Sequence, residues 1–337
     1  MHSTRLFGAV AAALLSAGAA SASTLDDVRE RGELRCGFST EQKGFAEQAH
    51  DGHWRGFDVA LCRAIAAAVL DDAEAVEFVS GINEHPREMM ELGDIDLVLG
   101  DSKWTFDNDV GRGLEFAAIS YRDGQGFMIR RDSGITSARD LYDLEICVRA
   151  DSMDERNLAD YFGSDLENDP VRVEDSDAAR AAYIAEDCEA YTADTTLLAA
   201  MRADFFDPSD HVILPEVISK APRGPVTRDD DPEWTRVVRW TLNALIAAEE
   251  LGVSSENIDE LRGQTDMPEI NRLLGTAEDF GERLGLDDAW ARRAIAASGN
   301  YGEIFARTIG AETEIGLARG LNAQWADGGL LYALPFR

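Results

Sequence analysis

The chain has 337 residues, of which 45% are hydrophobic, and this is enough material for two compact domains of ordinary size. Its formal net charge of -32 argues against nucleic acid or an anionic lipid surface as a partner, because both would be repelled. We interpret the acidity as a feature of a saline habitat and of solubility, rather than as a site for a cationic ligand.

The first residues have the pattern of a secretory signal peptide. One basic residue, Arg5, precedes an apolar run at 6–20, and the small residues Ala20 and Ala22 mark a signal peptidase site after residue 22. The run is shorter than the roughly 20 residues that span a bilayer, so a cleaved leader at 1–22 is favoured over an uncleaved anchor. No cysteine at the cleavage point offers a lipid attachment. The sequence therefore predicts a soluble protein exported to a Gram-negative periplasm.

Short β-rich runs alternate with helical patterns through most of the mature chain. The predicted strands are 33–38, 76–80, 96–99, 127–129, 145–148, 171–173 and 189–192. The predicted helices between them are 58–70, 86–92, 152–162, 177–186 and 195–203. This alternation predicts an α/β fold with largely parallel sheets. From residue 233 onward the pattern changes to helices alone, at 234–251, 258–262, 269–274, 286–298 and 301–308.

Four cysteines are present, and an exported chain is expected to hold them as two disulfides. They allow three pairings. Cys36 and Cys62 fall on the first predicted strand and the helix after it, whereas Cys147 and Cys188 lie in the middle third, so pairing within each region is the simplest arrangement. None adjoins a histidine that would activate a thiol, and we therefore expect a structural role.

Six segments of the sequence resemble one family position for position. They are WRGFDVALCRAIAAAVL at 54–70, WTFDND at 104–109, DGQGFMIRR at 123–131, NLADYF at 157–162, VRWTLNALIAAEELG at 238–252 and NYGEIF at 300–305. Together they resemble the general L-amino-acid-binding component of a periplasmic ABC importer, over essentially the whole mature chain. The family also carries cysteines at the four positions above.

The resemblance implies a two-lobed type II periplasmic binding fold with a helical C-terminal extension. It places lobe I at 23–123, lobe II at 124–225, and the return to lobe I with the extension at 226–337. Crossings between the lobes are expected near 121–126 and 220–226, the second marked by two prolines and a glycine. A monomer without cofactor or metal is expected, which closes on a small solute and presents it to an ABC permease.

A free amino acid presents an ammonium and a carboxylate, and burying either group without a partner is costly. The resemblance assigns the ammonium to Asp194, which lies between a predicted strand and a predicted helix. An aspartate at such a junction is also a common helix N-cap, and one residue can fill both roles. From lobe I, the candidate ligand residues are Phe45 as an aromatic wall, with Asp101 and Ser102.

The carboxylate side departs from the family pattern. Where the family has an arginine three residues after the Trp-Thr pair, this chain has Asn108, which donates hydrogen bonds but carries no charge. Lys103 offers a replacement ammonium at the site, but it also fits a lysine that faces solvent. The sequence alone does not favour either a lysine that binds the solute or a lysine that faces solvent.

The family's second anion holder, a Gly-Thr-Thr turn at a helix N-terminus, is also absent. Ser152 and Met153 stand in its place, within the run DSMDE at 151–155. Ser152 and Glu155 form a predicted capping box that satisfies the free N–H groups, and the carboxylates of this run would repel an anion. The two losses together motivate a second hypothesis, in which the pocket takes a cationic or neutral solute that lacks an α-carboxylate.

The main rival class is a periplasmic dehydratase or lyase, because such enzymes share this fold and fold alone does not determine function. The five histidines show no Ser-His-Asp pattern and no metal motif beyond the weak pair His50 and His53. We therefore predict a binding protein and not an enzyme. A binding protein that serves a sensor instead of an importer is the other alternative.

Overall fold

The computed structural model describes residues 23–39, 42–82, 85–100, 102–163, 169–263 and 266–337. In chain order the strands are β1 Leu34–Phe38, β2 Glu47–Gln48, β3 Trp54–Arg55, β4 Val76–Ser80, β5 Leu97–Leu99, β6 Leu114–Phe116, β7 Tyr121–Asp123, β8 Gln125–Arg130, β9 Ile146–Arg149, β10 Val171–Val173, β11 Ala190–Asp194, β12 His211–Ile213, β13 Ala221–Arg223 and β14 Val226–Arg228. The predicted signal peptide and the candidate ligand residue Asp101 lie outside the described residues.

Helices cover the sheets and make up most of the chain after β14. They are α1 Thr24–Arg31, α2 Phe57–Leu70, α3 Pro86–Leu92, α4 Phe106–Val110, α5 Met153–Phe162, α6 Ser176–Ile184, α7 Thr195–Ala203, α8 Pro232–Glu250, α9 Ile258–Leu261, α10 Pro268–Leu273, α11 Phe280–Arg283, α12 Trp290–Ser298 and α13 Tyr301–Thr308.

Two five-stranded sheets define two lobes. The sheet of lobe I has the order β4-β1-β5-β14-β6, and the sheet of lobe II has the order β10-β9-β11-β8-β12. In lobe I only β14 runs against the other strands, and in lobe II only β8 does. The predicted α/β fold is therefore present, and each largely parallel sheet contains one reversed strand.

The reversed strand of each sheet follows directly on a strand of the ribbon that joins the lobes. In this ribbon β7 pairs antiparallel with β13, so that Asp123 lies opposite Ala221. Gly124 separates β7 from β8, and Gly224 lies between β13 and β14. A Cβ at Gly224 would lie 1.8 Å from the carbonyl oxygen of Ala118, so only glycine allows this close approach. These are the segments where crossings were expected, while the residue bounds of the lobes stay a prediction.

The C-terminal helices complete the core of lobe I. Twelve of the 14 residues of α2 are buried, because the sheet covers one side of this helix and α12 packs on the other. Arg293 of α12 donates hydrogen bonds to the carbonyl oxygens of Ala67 and Ala68 near the end of α2, at 3.1 and 2.8 Å. Burial on several sides explains why the α2 sequence is almost wholly apolar.

Both disulfides join residues within one lobe, and the simplest predicted pairing is confirmed. Cys36 is bonded to Cys62, which fastens α2 to β1, and Cys147 is bonded to Cys188, which fastens β9 to the segment before β11. In each pair the cysteines are buried. A structural role follows from this placement.

Removing the lobe II disulfide is expected to destabilise the protein substantially. The bond closes a loop with a sequence separation of 41. By the chain-entropy relation, its loss in a Cys147→Ala, Cys188→Ala variant lowers the free energy of unfolding by about 4 kcal/mol. Denaturant unfolding under non-reducing conditions measures the change. The wild type with both disulfides formed is the reference, and an unchanged midpoint in the double variant would contradict the expectation.

A buried carboxyl group in lobe I makes stability depend on pH. Asp58, the second residue of α2, is 5% exposed, and burial raises its pKa from 3.8 to about 6, although the nearby charge of Arg223 opposes the rise. As the pH rises from about 4 to about 6, the unfolded chain releases this proton before the folded protein does. The free energy of unfolding therefore falls across this window and levels off above it.

The Asp58→Asn variant tests this dependence. Since the variant has no proton to lose at this position, its fall in unfolding free energy between about pH 4 and pH 7 should be smaller than that of the wild type by about 3 kcal/mol. Denaturant titrations at several pH values measure the two profiles. Profiles that run parallel would show that Asp58 has an ordinary pKa.

Candidate ligand-binding site

An ion pair joins the two lobes across the cleft. The Lys103 ammonium nitrogen lies 2.7 Å from Oδ2 of Asp194 and 3.8 Å from Oδ1 of Asp154. Lys103 comes from the loop after β5 in lobe I, whereas Asp194 ends β11 and Asp154 lies in the first turn of α5 in lobe II. The three side chains are 16%, 7% and 11% exposed. The ammonium thus lies between two largely buried carboxylates of the opposite lobe.

The side chain of Asp194 does not cap the helix that follows it. Asp194 is the N-cap residue of α7 by position, but its carboxylate makes no capping hydrogen bond. Its Oδ2 instead faces Lys103, and a guanidinium nitrogen of Arg223 lies 3.7 Å away. The carboxylate of Asp194 therefore does not act as the helix cap, and it pairs with the ammonium of Lys103, while its role towards a solute stays a prediction.

The loop that carries Lys103 is fixed against the ribbon. Lys103 forms a β-bridge with Arg223, and the backbone N–H of Trp104 donates to the carbonyl oxygen of Pro222 at 2.8 Å. The side-chain amide of Asn108 donates to the carbonyl oxygen of Lys103 at 2.8 Å. Asn108 therefore positions this loop, and Lys103 is directed into the cleft rather than towards solvent.

A buried cluster at the ribbon was not found by sequence reasoning. Arg223, which is 3% exposed, donates to Oδ2 of Asp123 at 2.6 Å and to Oε1 of Gln42 at 3.2 Å, and it also donates to the hydroxyl of Thr196. The other oxygen of Asp123 accepts a hydrogen bond from the hydroxyl of Thr195 at 2.6 Å. The cluster joins lobe I, the ribbon and lobe II. The sequence indicates this cluster only through Asp123 in the first expected crossing and Arg223 in the second.

Phe45 lies under this cluster. Its ring makes edge contacts with Tyr121 and Phe57, at centroid distances of 5.4 and 5.9 Å, and it is 2% exposed. The Arg223 guanidinium carbon lies 5.6 Å from the ring centroid. The predicted aromatic wall is therefore packed into the lobe I core, and a cation covers its face.

The start of α5 is capped internally, with a small difference from the expected pattern. The Ser152 hydroxyl accepts a hydrogen bond from the Glu155 N–H at 3.2 Å and donates to the Arg149 carbonyl oxygen at 2.6 Å. The Glu155 carboxylate accepts from the N–H of Asp151 at 2.9 Å, one residue before the N-cap. The predicted capping box is therefore wrong in its second half, because the left-handed backbone of Asp151 directs that N–H towards the helix.

Asp154 is the residue of this turn that reaches the cleft. Met153 is exposed, whereas the neighbouring Asp154 is buried and faces Lys103. Gln125 holds the turn in place, since its side-chain amide donates to the Asp154 carbonyl oxygen at 2.8 Å and to the Thr192 hydroxyl at 2.9 Å. Lys103 and Asp194 are thus brought together, and Ser152 and Met153 lie directly before Asp154 at the start of α5.

Known proteins resemble this chain over its full length. No family model matches it. The glutamate/glutamine/aspartate/asparagine-binding protein BztA of Rhodobacter capsulatus is 48% identical over 338 aligned positions, with 100% of both chains covered. The general L-amino acid-binding periplasmic protein AapJ of Rhizobium johnstonii is 42% identical, again with 100% of both chains covered. The chain belongs to the amino-acid-binding proteins of ABC transporters.

The solved structures place this binding protein in the same fold class. A periplasmic binding protein of an ABC transporter from Brucella ovis, with glutathione bound, superimposes with a TM-score of 0.86 and 45% sequence identity, covering 94% of this chain and 100% of the other. The expected type II periplasmic binding fold is confirmed. The protein is a solute-binding component and not an enzyme built on the same fold.

Two further properties concern only the part of the binding protein that the structure describes. Within the described ranges, no group of three or more His, Cys, Asp or Glu side chains is arranged to hold a metal ion. No helix of this part of the chain combines the length and the apolar character needed to cross a bilayer.

Proposed function

We propose that this binding protein captures an L-amino acid between its lobes in the periplasm, as a monomer, and presents it to an ABC permease. The ion pair between Lys103 and Asp194 carries the proposal. It shows a largely buried carboxylate of lobe II that binds an ammonium group arriving from across the cleft, at 2.7 Å. An α-ammonium has the same charge and hydrogen-bonding capacity as the lysine head group.

The solute enters by exchange with Lys103. When the solute binds, its α-ammonium replaces the ammonium of Lys103 at the carboxylates of Asp194 and Asp154. Neither carboxylate is then left buried without a counter-charge. A solute shifts the equilibrium between open and closed lobes only if it interacts differently with the two states. Contact with Asp194 on one side and with the loop at 102–108 on the other supplies this difference.

The relatives support a solute that carries a carboxylate as well as an ammonium. BztA is described as binding glutamate, glutamine, aspartate and asparagine, and AapJ as binding L-amino acids in general. The Brucella ovis protein holds glutathione, which has both groups. This favours an amino acid over the alternative solute without an α-carboxylate. The ammonium of Lys103, paired with Asp194 and Asp154, also lies where a cationic solute would have to bind these carboxylates.

A thermal-shift screen tests the proposal. The protein is refolded without ligand and heated with each standard L-amino acid, with polyamines and with betaines, since a solute that binds the folded state raises Tm. Several L-amino acids are expected to raise Tm. A rise with polyamines or betaines alone would support the retuned pocket instead. No rise with any compound would contradict solute capture by this cleft.

A further inference from the structure

The C-terminal extension contacts lobe II as well as lobe I. After α13 the chain forms a loop at 310–317, which is closed by a β-bridge between Gly310 and Leu317. The side chains of Ile309 and Ile315 are buried in the lobe I core. This loop is therefore a fixed part of lobe I, and it reaches the end of α7 in lobe II.

Lys43 pairs with an acidic residue on each side of this contact. Its ammonium nitrogen lies 2.9 Å from Oε2 of Glu314 in the loop at 310–317 and 3.0 Å from Oδ1 of Asp204 at the C-terminal end of α7. Gly44 allows this segment to approach the extension closely, because its φ is +82° and a Cβ at this position would lie 2.6 Å from a side-chain carbon of Ile315. The pair with Asp204 joins the lobes, and the pair with Glu314 holds the lysine in position.

One face of α7 packs against the same part of lobe I. Ala199 is fully buried within the lobe I core, and Ala203, one turn later, packs on this core as well. From the same turn, the side chain of Arg202 donates a hydrogen bond to the carbonyl oxygen of Ile315 at 3.0 Å. The polar members of this α7–extension contact are Lys43, Arg202, Asp204, Glu314 and the Ile315 carbonyl group.

The α7–extension contact lies at a distance from the ribbon about which the lobes would rotate. At the start of α7, Thr195 and Thr196 each donate a hydrogen bond to a carboxylate oxygen of Asp123 in β7 at 2.6 Å. The nine residues of α7 then extend for about 13 Å. An atom far from a rotation axis moves further than one near it, and an ion pair ends beyond about 4 Å. Opening of the lobes about the ribbon would therefore separate Asp204 from Lys43.

We propose that the C-terminal extension stabilises the closed lobes through the α7–extension contact and thereby helps to retain the solute. In the same arrangement the lobes meet across the cleft through Lys103 and Asp194, so the two contacts accompany each other. The apparent affinity for a solute that requires closed lobes rises with the fraction of closed molecules. Capture of a solute belongs to the proposed function, whereas a part of the extension that controls lobe closure goes beyond it.

Two variants remove the contact in steps. Asp204→Asn removes the ion pair between the lobes, and Arg202→Gln added to it also removes the hydrogen bond to the extension, while the pair of Lys43 with Glu314 stays intact. Because a single exposed ion pair contributes little, we expect Kd for the most stabilising L-amino acid to rise about threefold in the single variant and about tenfold in the double variant. Titration calorimetry measures Kd. Small-angle X-ray scattering should show a larger radius of gyration for the unliganded double variant than for the wild type.

Asp207→Asn is the matched control, since Asp207 is an exposed aspartate three residues beyond Asp204 and its substitution changes the net charge by the same amount as Asp204→Asn. It should behave as the wild type does in both measurements. Equal Kd and equal radius of gyration for the double variant and Asp207→Asn overturn the role of the extension and leave the proposed function standing. A wild type that binds no L-amino acid overturns the proposed function, and the scattering comparison then decides on the role of the extension alone.

Discussion

Replacing Asp194 with asparagine is expected to reduce the affinity for L-amino acids by about 100-fold or more. Asparagine keeps the size of the side chain but removes the charge that holds the ammonium. Truncating one partner of a buried charge pair costs about 2 to 5 kcal/mol, and about 2.7 kcal/mol corresponds to 100-fold in Kd. Titration calorimetry on ligand-stripped protein, with an amino acid that stabilises the wild type, measures the loss.

Asp160→Asn is the matched control for this variant. Asp160 is an exposed aspartate on α5, the helix that also carries Asp154. Its substitution changes the net charge of lobe II by the same amount and should leave Kd unchanged. If Asp194→Asn bound amino acids as tightly as Asp160→Asn does, the ammonium would have to be held by another group.

Replacing Lys103 with methionine is expected to increase the affinity for L-amino acids by about tenfold. In the wild type the lysine ammonium occupies Asp194 at 2.7 Å, so the solute has to displace it. Methionine fills similar space without competing. The unliganded variant also lacks the ion pair that joins Lys103 of lobe I to Asp194 and Asp154 of lobe II, and this loss favours the open lobes. Calorimetry measures Kd, and small-angle X-ray scattering should show a larger radius of gyration for the unliganded variant.

The direction of the Lys103→Met effect separates two roles of this lysine. Tighter binding means that Lys103 competes with the solute ammonium. Weaker binding would mean that Lys103 holds the solute carboxylate, which is the role that the sequence offers for it. Lys220→Met is the control, because Lys220 is exposed and lies directly before β13. It should leave both Kd and the scattering profile unchanged.

The fold was predictable where the sequence pattern is local and strong. The apolar run of α2, the alternation of short strands and helices, and the glycines and prolines at the crossings each identify an element from neighbouring residues. The three-residue strands β6 and β12 and the short helix α11 were missed, because so few residues show no period. The strand β8 was predicted at 127–129, but its reversed direction was not, and β14 was missed, since strand direction is set by the crossings and not by composition.

The site was less predictable because its geometry depends on distant parts of the chain. Asp123 and Arg223 form a hydrogen bond across 100 positions of sequence, and no local pattern pairs them. The resemblance identifies Asp194, and the missing family arginine makes Lys103 a candidate replacement, but the contact between the two depends on how the lobes meet. At the start of α5 the prediction names Ser152 and Met153, whereas the rotation of the helix brings Asp154 to the cleft.

A crystal structure of the protein with its most stabilising L-amino acid is the measurement that tests the exchange at Asp194 most directly. We expect the α-ammonium nitrogen at about 3 Å from an oxygen of Asp194, with the Lys103 ammonium displaced from its position in the unliganded protein. A complex in which Lys103 still lies on Asp194, while the amino acid is bound elsewhere, would contradict it.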